Sequence, residues 1–331
     1  MLGVGLVSGG LDSLIATFLL QQQNIEIIGL NFQSPFCICK KAYQNAECGL
    51  NLFYEKLNIK VHHLQKQDDY IDIIRNPKYG YGKNLNPCID CRIYILRKAK
   101  KFAGKINADF IYTGEVLNQR PKSQNLKALK IVEKESNLQG QLLRPLSAKL
   151  LEPTILEEKG LIDRSKLLGI KGRSRKPQLK IAQKYNLLEE YYACGGCLLT
   201  DKSFSNRLRD LLAYNRDIKM EDIIFLKYGR HFRYKNTKII IGRDELENKI
   251  LSRIKKKEDY IMEAKDVVGP ITLIRGTFNR DILNFAGKIT LSYSDLKNKM
   301  GKIIYGKKLI KKSKEITLKK GKKKEFKEFI I

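Results

Sequence analysis

Ser8-Gly9-Gly10-Leu11-Asp12-Ser13 follows a short apolar run at the start of the chain and leads directly into Leu14-Ile15-Ala16-Thr17-Phe18-Leu19-Leu20. Strand, glycine turn and helix N-terminus in that order make an anion site, because the first-turn amides lack intrahelical acceptors and point outward. Gly9 and Gly10 let the backbone turn tightly and approach a phosphate closely. Ser8 and Ser13 add hydroxyl donors, and Asp12 can hold Mg2+ or cap the helix. No Lys-Ser/Thr pair follows the glycines, which excludes the Walker-type nucleotide loop.

The second set of chemical groups is sulfur. Cys88-Ile89-Asp90-Cys91 and Cys194-Gly195-Gly196-Cys197 are two Cys-x-x-Cys pairs, each spaced so that two sulfurs can converge on one centre. Three readings stay open. Cys88, Cys91, Cys194 and Cys197 can staple a zinc ion. Three of them can hold an iron–sulfur cluster with one iron left free for an external sulfide. Alternatively, a pair can carry a persulfide and resolve it as a disulfide. Cys37, Cys39 and Cys48 form a looser group, read as core or auxiliary thiols. The three histidines, His62, His63 and His231, are isolated and take no catalytic part.

These groups need a scaffold. Strands are expected over residues 2–7, 25–31, 60–64 and 110–113, with helices over 12–23, 42–57 and 91–105. That alternation predicts an α/β fold with a parallel sheet covered on both faces, in which ligands gather at the carboxyl ends of the strands. Ser8 and Gly114 both fall at such ends, so Gly114 joins the candidate phosphate site. Residues 119–175 read as irregular, and helices are expected over 177–185 and 203–214. A second, small α+β unit is expected from 222 to 301, with strands over 238–241, 259–264 and 271–275 and a helix over 245–253. Residues 302–331 hold twelve lysines against three glutamates, a net of +9, which reads as a solvated or disordered arm.

The chain has 331 residues, 43% of them hydrophobic, and a formal charge of +29. That is enough for two or three cored domains. The charge excess points to nucleic acid or an anionic membrane surface as partner. No apolar run reaches the roughly 18 residues of a membrane span, and Met1 enters a core strand instead of a signal peptide. Seven cysteines without a secretory signal imply a reducing, cytoplasmic setting. Arg173, Arg175 and Lys176 are candidate phosphate contacts. Glu115, Gln119 and Arg120, just after a strand end, are candidates to touch a nucleotide or a flipped base.

SGGLDS resembles the PP-loop of the ATP pyrophosphatases, which cleave ATP between its α and β phosphates to adenylate a substrate. With three further blocks, residues 76–91, 113–121 and 143–150, and with 195–201, the first 215 residues resemble the PP-loop tRNA thiouridine synthases. Residues 229–233, 241–248 and 264–270 resemble the NFACT RNA-binding module, which places Arg230 and Arg243 among the RNA-binding candidates. The resemblance implies an ATP-dependent tRNA sulfurtransferase that forms 2- or 4-thiouridine. It also implies ATP, Mg2+ and a 4Fe–4S cluster (or Zn2+) as cofactors, with tRNA and a sulfide or persulfide donor as partners. Relatives usually carry His after the Cys-x-x-Cys, whereas this chain has Arg92, so no role of that His transfers. Another PP-loop adenylating enzyme, amidating or lysine-ligating, and a non-catalytic RNA-binding protein remain the alternatives. A sulfur nucleophile must come within about 3–3.5 Å of the activated carbon. Cys88, Cys91 and Cys197 should therefore share one cleft with Ser8–Ser13, and Arg92 or Lys98 should lower a thiol pKa there.

Overall fold

The computed structural model describes residues 1–38, 54, 57–187, 196–309 and 313–331. The expected helix over 42–57 and the cysteines Cys39, Cys48 and Cys194 lie outside the described residues. The chain divides into two compact units, Met1–Asp201 and Lys202–Ile331. The helix Lys202–Tyr214 lies in the second unit.

The first unit is built on a five-stranded parallel sheet of β1 (Leu2–Leu6), β2 (Glu26–Gln33), β3 (Lys60–Gln65), β4 (Phe110–Thr113) and β5 (Leu142–Leu143). Their order across the sheet is β3-β2-β1-β4-β5. Strand period sorts the side chains. Val4 and Leu6 join the core under the helices Cys88–Lys105 and Leu126–Glu135, with Ile93, Leu96, Ala99 and Val132. Gly3 and Gly5 face the other layer, where a Cβ on Gly5 would stand 2.4 Å from the Tyr112 ring. The missing side chains make room for the β4 aromatics. On that face lies the helix Leu11–Gln21, apolar nearly all round, with Ala182 of the helix Lys176–Lys184 in the same core. A helix buried on all sides needs such cover. Asn24, Asn107, Asn137 and Asn186, all at positive φ, follow helix ends, as left-handed C-terminal residues commonly do.

Two neighbours flank β1, and the chain reaches them by opposite routes: β2 on one side, β4 on the other. This is the topological switch point, and its crevice opens at the carboxyl ends of β1 and β4. Residues 119–175 are less irregular than the prolines suggest. They include the ten-residue helix Leu126–Glu135, capped by the Asn125 side chain on the Ala128 amide.

The second unit is a six-stranded antiparallel sheet: β6 (Arg230–Tyr234), β7 (Thr237–Ile241), β8 (Tyr260–Ala264), β9 (Thr272–Arg275), β10 (Met300–Gly306) and β11 (Lys314–Lys319). Its strand order is β11-β10-β8-β9-β7-β6. Alternation again places the core: Ile239 and Ile241 pack with the helix Arg280–Ser292. Ile240 packs on the opposite face with Leu251 of the helix Glu245–Ile254. The expected free arm over 302–331 is corrected here. Ile303, Leu318 and Phe326 are buried in the core, and β11 pairs with β10 along six residues. Apolar residues spaced between the lysines hold the segment down in spite of its charge.

Candidate active site

The phosphate loop folds as its spacing requires. Gly9 adopts φ +76°, Gly10 precedes the first helical residue, and Ser13 Oγ donates to the Gly10 carbonyl at 2.8 Å. Ser8 and Ser13 hydroxyls are 3.4 Å apart. Asp12 does not cap the helix. It lies in the first turn and accepts from Gln119 Nε2 at 3.1 Å and from Gln178 Nε2 at 3.2 Å, which fixes both carboxylate oxygens. Gly114 presses on this turn, since a Cβ there would lie 2.6 Å from the Asp12 carbonyl carbon and the Ser13 nitrogen. A cavity of about 390 Å3 opens here, lined among others by Ser8, Asp12, Ser13, Gly114, Arg92, Arg120, Arg173 and Arg175. Four guanidiniums around a serine-glycine turn suit a polyphosphate. Lys176 is exposed at the start of the next helix.

Glu115 also lines this cavity. Its carboxylate is buried between Arg92 Nε at 3.0 Å and Arg144 Nε at 3.2 Å, and Arg144 also pairs with Glu133. Burial would raise its pKa, but the two guanidiniums hold it below the usual range. Glu115 therefore orients Arg92 toward the cavity. Gln119 likewise serves Asp12.

Three segments bring the thiols together. Asp90 accepts from the Lys78 and Tyr79 amides at 2.9 and 3.1 Å, folding the preceding loop back on the helix that carries Cys88 and Cys91. The Leu85 amide donates to the Leu199 carbonyl, Asn84 Nδ2 to that of Thr200, and the Leu198 amide to that of Phe36. Cys197 is thereby fastened between that loop and the segment after β2, where its backbone bridges to Cys37. Lys66, one residue past β3, donates from Nζ to Cys91 Sγ at 3.1 Å and stands 4.1 Å from the Tyr70 ring centre. Burial works against a charged Cys91. The Lys66 ammonium, a Tyr70 hydrogen bond and Arg92 outweigh it and lower the thiol. Burial raises Cys88, with Arg120 and Arg92 opposing. It pushes Cys197 up to about 12, helped by the nearby Cys91 and Cys37. Lys98, expected to tune a thiol, instead pairs with Asp69 at 2.9 Å.

A metal cradle needs several of these donors on one centre. Among the described residues no three His, Cys, Asp or Glu side chains converge to hold a metal ion. Cys91 Sγ is already engaged by Lys66, and Cys194 lies outside the described residues. The described donors do not fit a zinc staple or an iron–sulfur cluster.

Residues 2–152 match the family model described as Thiamine biosynthesis protein (ThiI), and residues 229–330 match the NFACT protein RNA binding domain. Both matches, with the relatives that follow, support the resemblance to the PP-loop tRNA thiouridine synthases. Among curated relatives, the tRNA-specific 2-thiouridylase MnmA of Mycoplasma mycoides is 27% identical over 312 residues, 85% of this chain and 76% of that protein. The MnmA of Haemophilus influenzae is 28% identical over 155 residues, 43% of this chain and 39% of its own length. A 4-thiouridine synthetase solved as an RNA complex with bound ATP is 19% identical, over 57% of this chain and 51% of that one. Its TM-score of 0.34 is too low to overlay the two sites.

In the segment that matches the RNA binding domain, Arg230 stacks over Tyr293 at 4.8 Å. Arg243 is held by the buried Glu247 carboxylate. His231 is buried, with Nε2 2.8 Å from the Tyr228 carbonyl, and His63 lies beside Gln33 and Asn31. Sequence reasoning missed Lys66, Tyr70, Arg144 and Gln178 at the first site. Lys66 and Arg144 each follow a strand end directly, which was the available signal. Gln178 gave none.

Proposed function

We propose that this chain is an ATP-dependent tRNA sulfurtransferase that adenylates a uridine carbonyl and replaces its oxygen with sulfur, giving 2- or 4-thiouridine. The observation that carries this reading is Arg92, which lines the phosphate-loop cavity and also lies close enough to Cys88 and Cys91 to act on both thiols. Activation chemistry and sulfur chemistry meet at one side chain.

A carbonyl oxygen leaves only once it is esterified. Its attack on the α-phosphorus of ATP forms an O–P bond and breaks the α–β bridge, and pyrophosphate is received by the Ser8–Ser13 turn and its arginines. Mg2+ carried in with the phosphates fits Asp12, because such an ion needs only one or two protein carboxylates. When bound, it offsets charge on the phosphates. The sulfur is carried as a persulfide on Cys197. Its outer sulfur attacks the activated carbon, the C–O bond breaks, and AMP departs. The Cys91 thiolate then attacks the Cys197 sulfur, forming a Cys91–Cys197 disulfide and releasing the thiouridine. Sulfane sulfur is reduced as the two cysteines are oxidised, so each turnover needs a thiol reductant and a fresh sulfur donor. Arg120, Arg173, Arg175, Lys176 and Arg230 supply phosphate contacts for the tRNA.

The test combines purified protein, tRNA, ATP, Mg2+, a thiol reductant and a persulfide donor, with nucleosides read by mass spectrometry. One thiolated uridine should appear per AMP and pyrophosphate formed. Cys197→Ser should abolish thiolation while leaving tRNA-dependent pyrophosphate release. AMP formation without any thiolated nucleoside, whatever sulfur donor is supplied, would overturn the proposal.

A further inference from the structure

Far along the chain from the phosphate loop, the second unit has a cavity of its own, of about 670 Å3. That falls within the roughly 300–1,000 Å3 of small-ligand sites. One wall is aromatic. Tyr260 and Phe278 stack at 3.8 Å with 6° between their planes, and Tyr305 stands 5.9 Å from Phe278. All three rings are only half-buried, so the cavity can still reach aromatic surface. The rest of the lining is strongly basic: Arg280, Lys307, Lys308 and Lys314, with the Lys307 ammonium 5.9 Å from the Tyr260 ring centre.

Some cations of this unit are held in ion pairs and others are not. Arg233 and Lys238 share Asp210, Arg275 pairs with Asp259, and Lys256 pairs with Asp222. Around the aromatic cavity, by contrast, none of the four cations pairs with a carboxylate among the described residues. Four exposed cations that line one cavity give it a positive field that favours an anionic ligand. Their arrangement makes sense if a ligand brings the negative charge. Flat rings suit a base that has left its stack, and the cations suit the phosphates on either side of it. A duplex offers the phosphates but keeps its bases stacked inside.

We propose that this cavity seats an unstacked nucleotide of single-stranded RNA, the base against the Tyr260–Phe278–Tyr305 wall and its flanking phosphates on Lys307, Lys308, Lys314 and Arg280. The inference rests on the RNA-binding reading of this unit and adds the place and the kind of RNA.

The full chain is titrated with a fluorescent 12-nucleotide oligouridylate, with the same length of RNA as a duplex, and with polyglutamate. The single strand should bind at least tenfold tighter than the duplex. Phe278→Leu, which keeps an apolar side chain but removes the ring, should weaken it about tenfold to a hundredfold. Lys307→Gln with Lys308→Gln, both exposed, should reduce the slope of log affinity against log salt by about 1.4. Photo-crosslinking of 5-bromouridine RNA to the unmodified protein should label the segment from Tyr260 to Ile316, a readout that needs no variant. If the wild type binds the strand, yet crosslinks fall elsewhere and the lysine variant binds as well as wild type, the cavity assignment is wrong. If polyglutamate displaces the RNA with equal affinity, the cavity is a general anion site and the proposal falls too. Absence of any RNA binding by the wild type would refute the RNA-binding reading as well.

Discussion

At the scale of single residues, the site depends on which thiol is ionised. Among the described thiols Cys91 has the lowered pKa, and Lys66 at 3.1 Å is the chief favourable cause. A cation stabilises the thiolate, so removing it must raise the pKa, and each unit of rise cuts the thiolate fraction near neutrality about tenfold. Alkylation by iodoacetamide, followed residue by residue across pH, should show Cys91 reacting first, with a midpoint below the roughly 8.5 of a free thiol. Lys66→Met should move that midpoint upward by about one unit, and Cys197 should be the slowest thiol in both proteins. A wild-type Cys91 midpoint at or above the ordinary value would remove the thiolate from the proposed resolving step. Glu115 belongs to the same account. Its charge is held by Arg92 and Arg144, so it fixes Arg92 at the wall of the cavity that both line.

At the scale of elements, the first site is made by strand ends converging on one crevice. Gly114 ends β4 against the first turn of the helix Leu11–Gln21, with backbone atoms of Asp12 and Ser13 2.6 Å from where a Cβ would go. Backbone cannot rotate away as a side-chain tip can. Gly114→Ala should therefore displace the phosphate loop, lower ATP affinity by about tenfold and cost about 1–3 kcal/mol of stability. Calorimetric titration with ATP and thermal unfolding measure the two effects, and an alanine variant that binds ATP as the wild type does would dissociate Gly114 from the site. This convergence was largely legible in the sequence. The sequence pattern marks residues 110–113 as a strand, the bounds the structure shows, and puts Ser8 and Gly114 at one mouth. Periodicity locates strands, and the rule for parallel sheets says where ligands collect. Applied to every strand, the same rule also reaches Lys66 past β3 and Arg144 past β5. Gln178 was beyond it, because it meets Asp12 only through a fold contact 166 residues long. The helix Leu126–Glu135 was hidden by prolines on either side, and the ordered C-terminal segment by its lysines. In both, local composition was outweighed by a buried apolar stripe: Ala128, Leu129 and Val132 in one, Leu318 and Phe326 in the other.

At the scale of the whole molecule, two units with separate cores divide the work. No described helix is long and apolar enough to cross a membrane, and the charge of +29 is better suited to a polyanion held in solution. Much of that charge lies beyond Asp201, including ten lysines among the described residues of 302–331, where β11 pairs with β10. Ordered cations lose less freedom on binding than a loose arm would. Affinity for tRNA should then fall steeply with salt, at a slope of about 0.9 for each phosphate neutralised on duplex regions. A chain ending at Asp201 keeps the phosphate loop, the thiols and their core. It should retain ATP binding within about twofold, lose at least tenfold in tRNA affinity at moderate salt, and show a salt slope smaller by several units. Filter binding across a salt series measures both affinity and slope. Equal slopes for the full and shortened chains would mean that the first unit alone grips the tRNA, and that the basic second unit serves another polyanion.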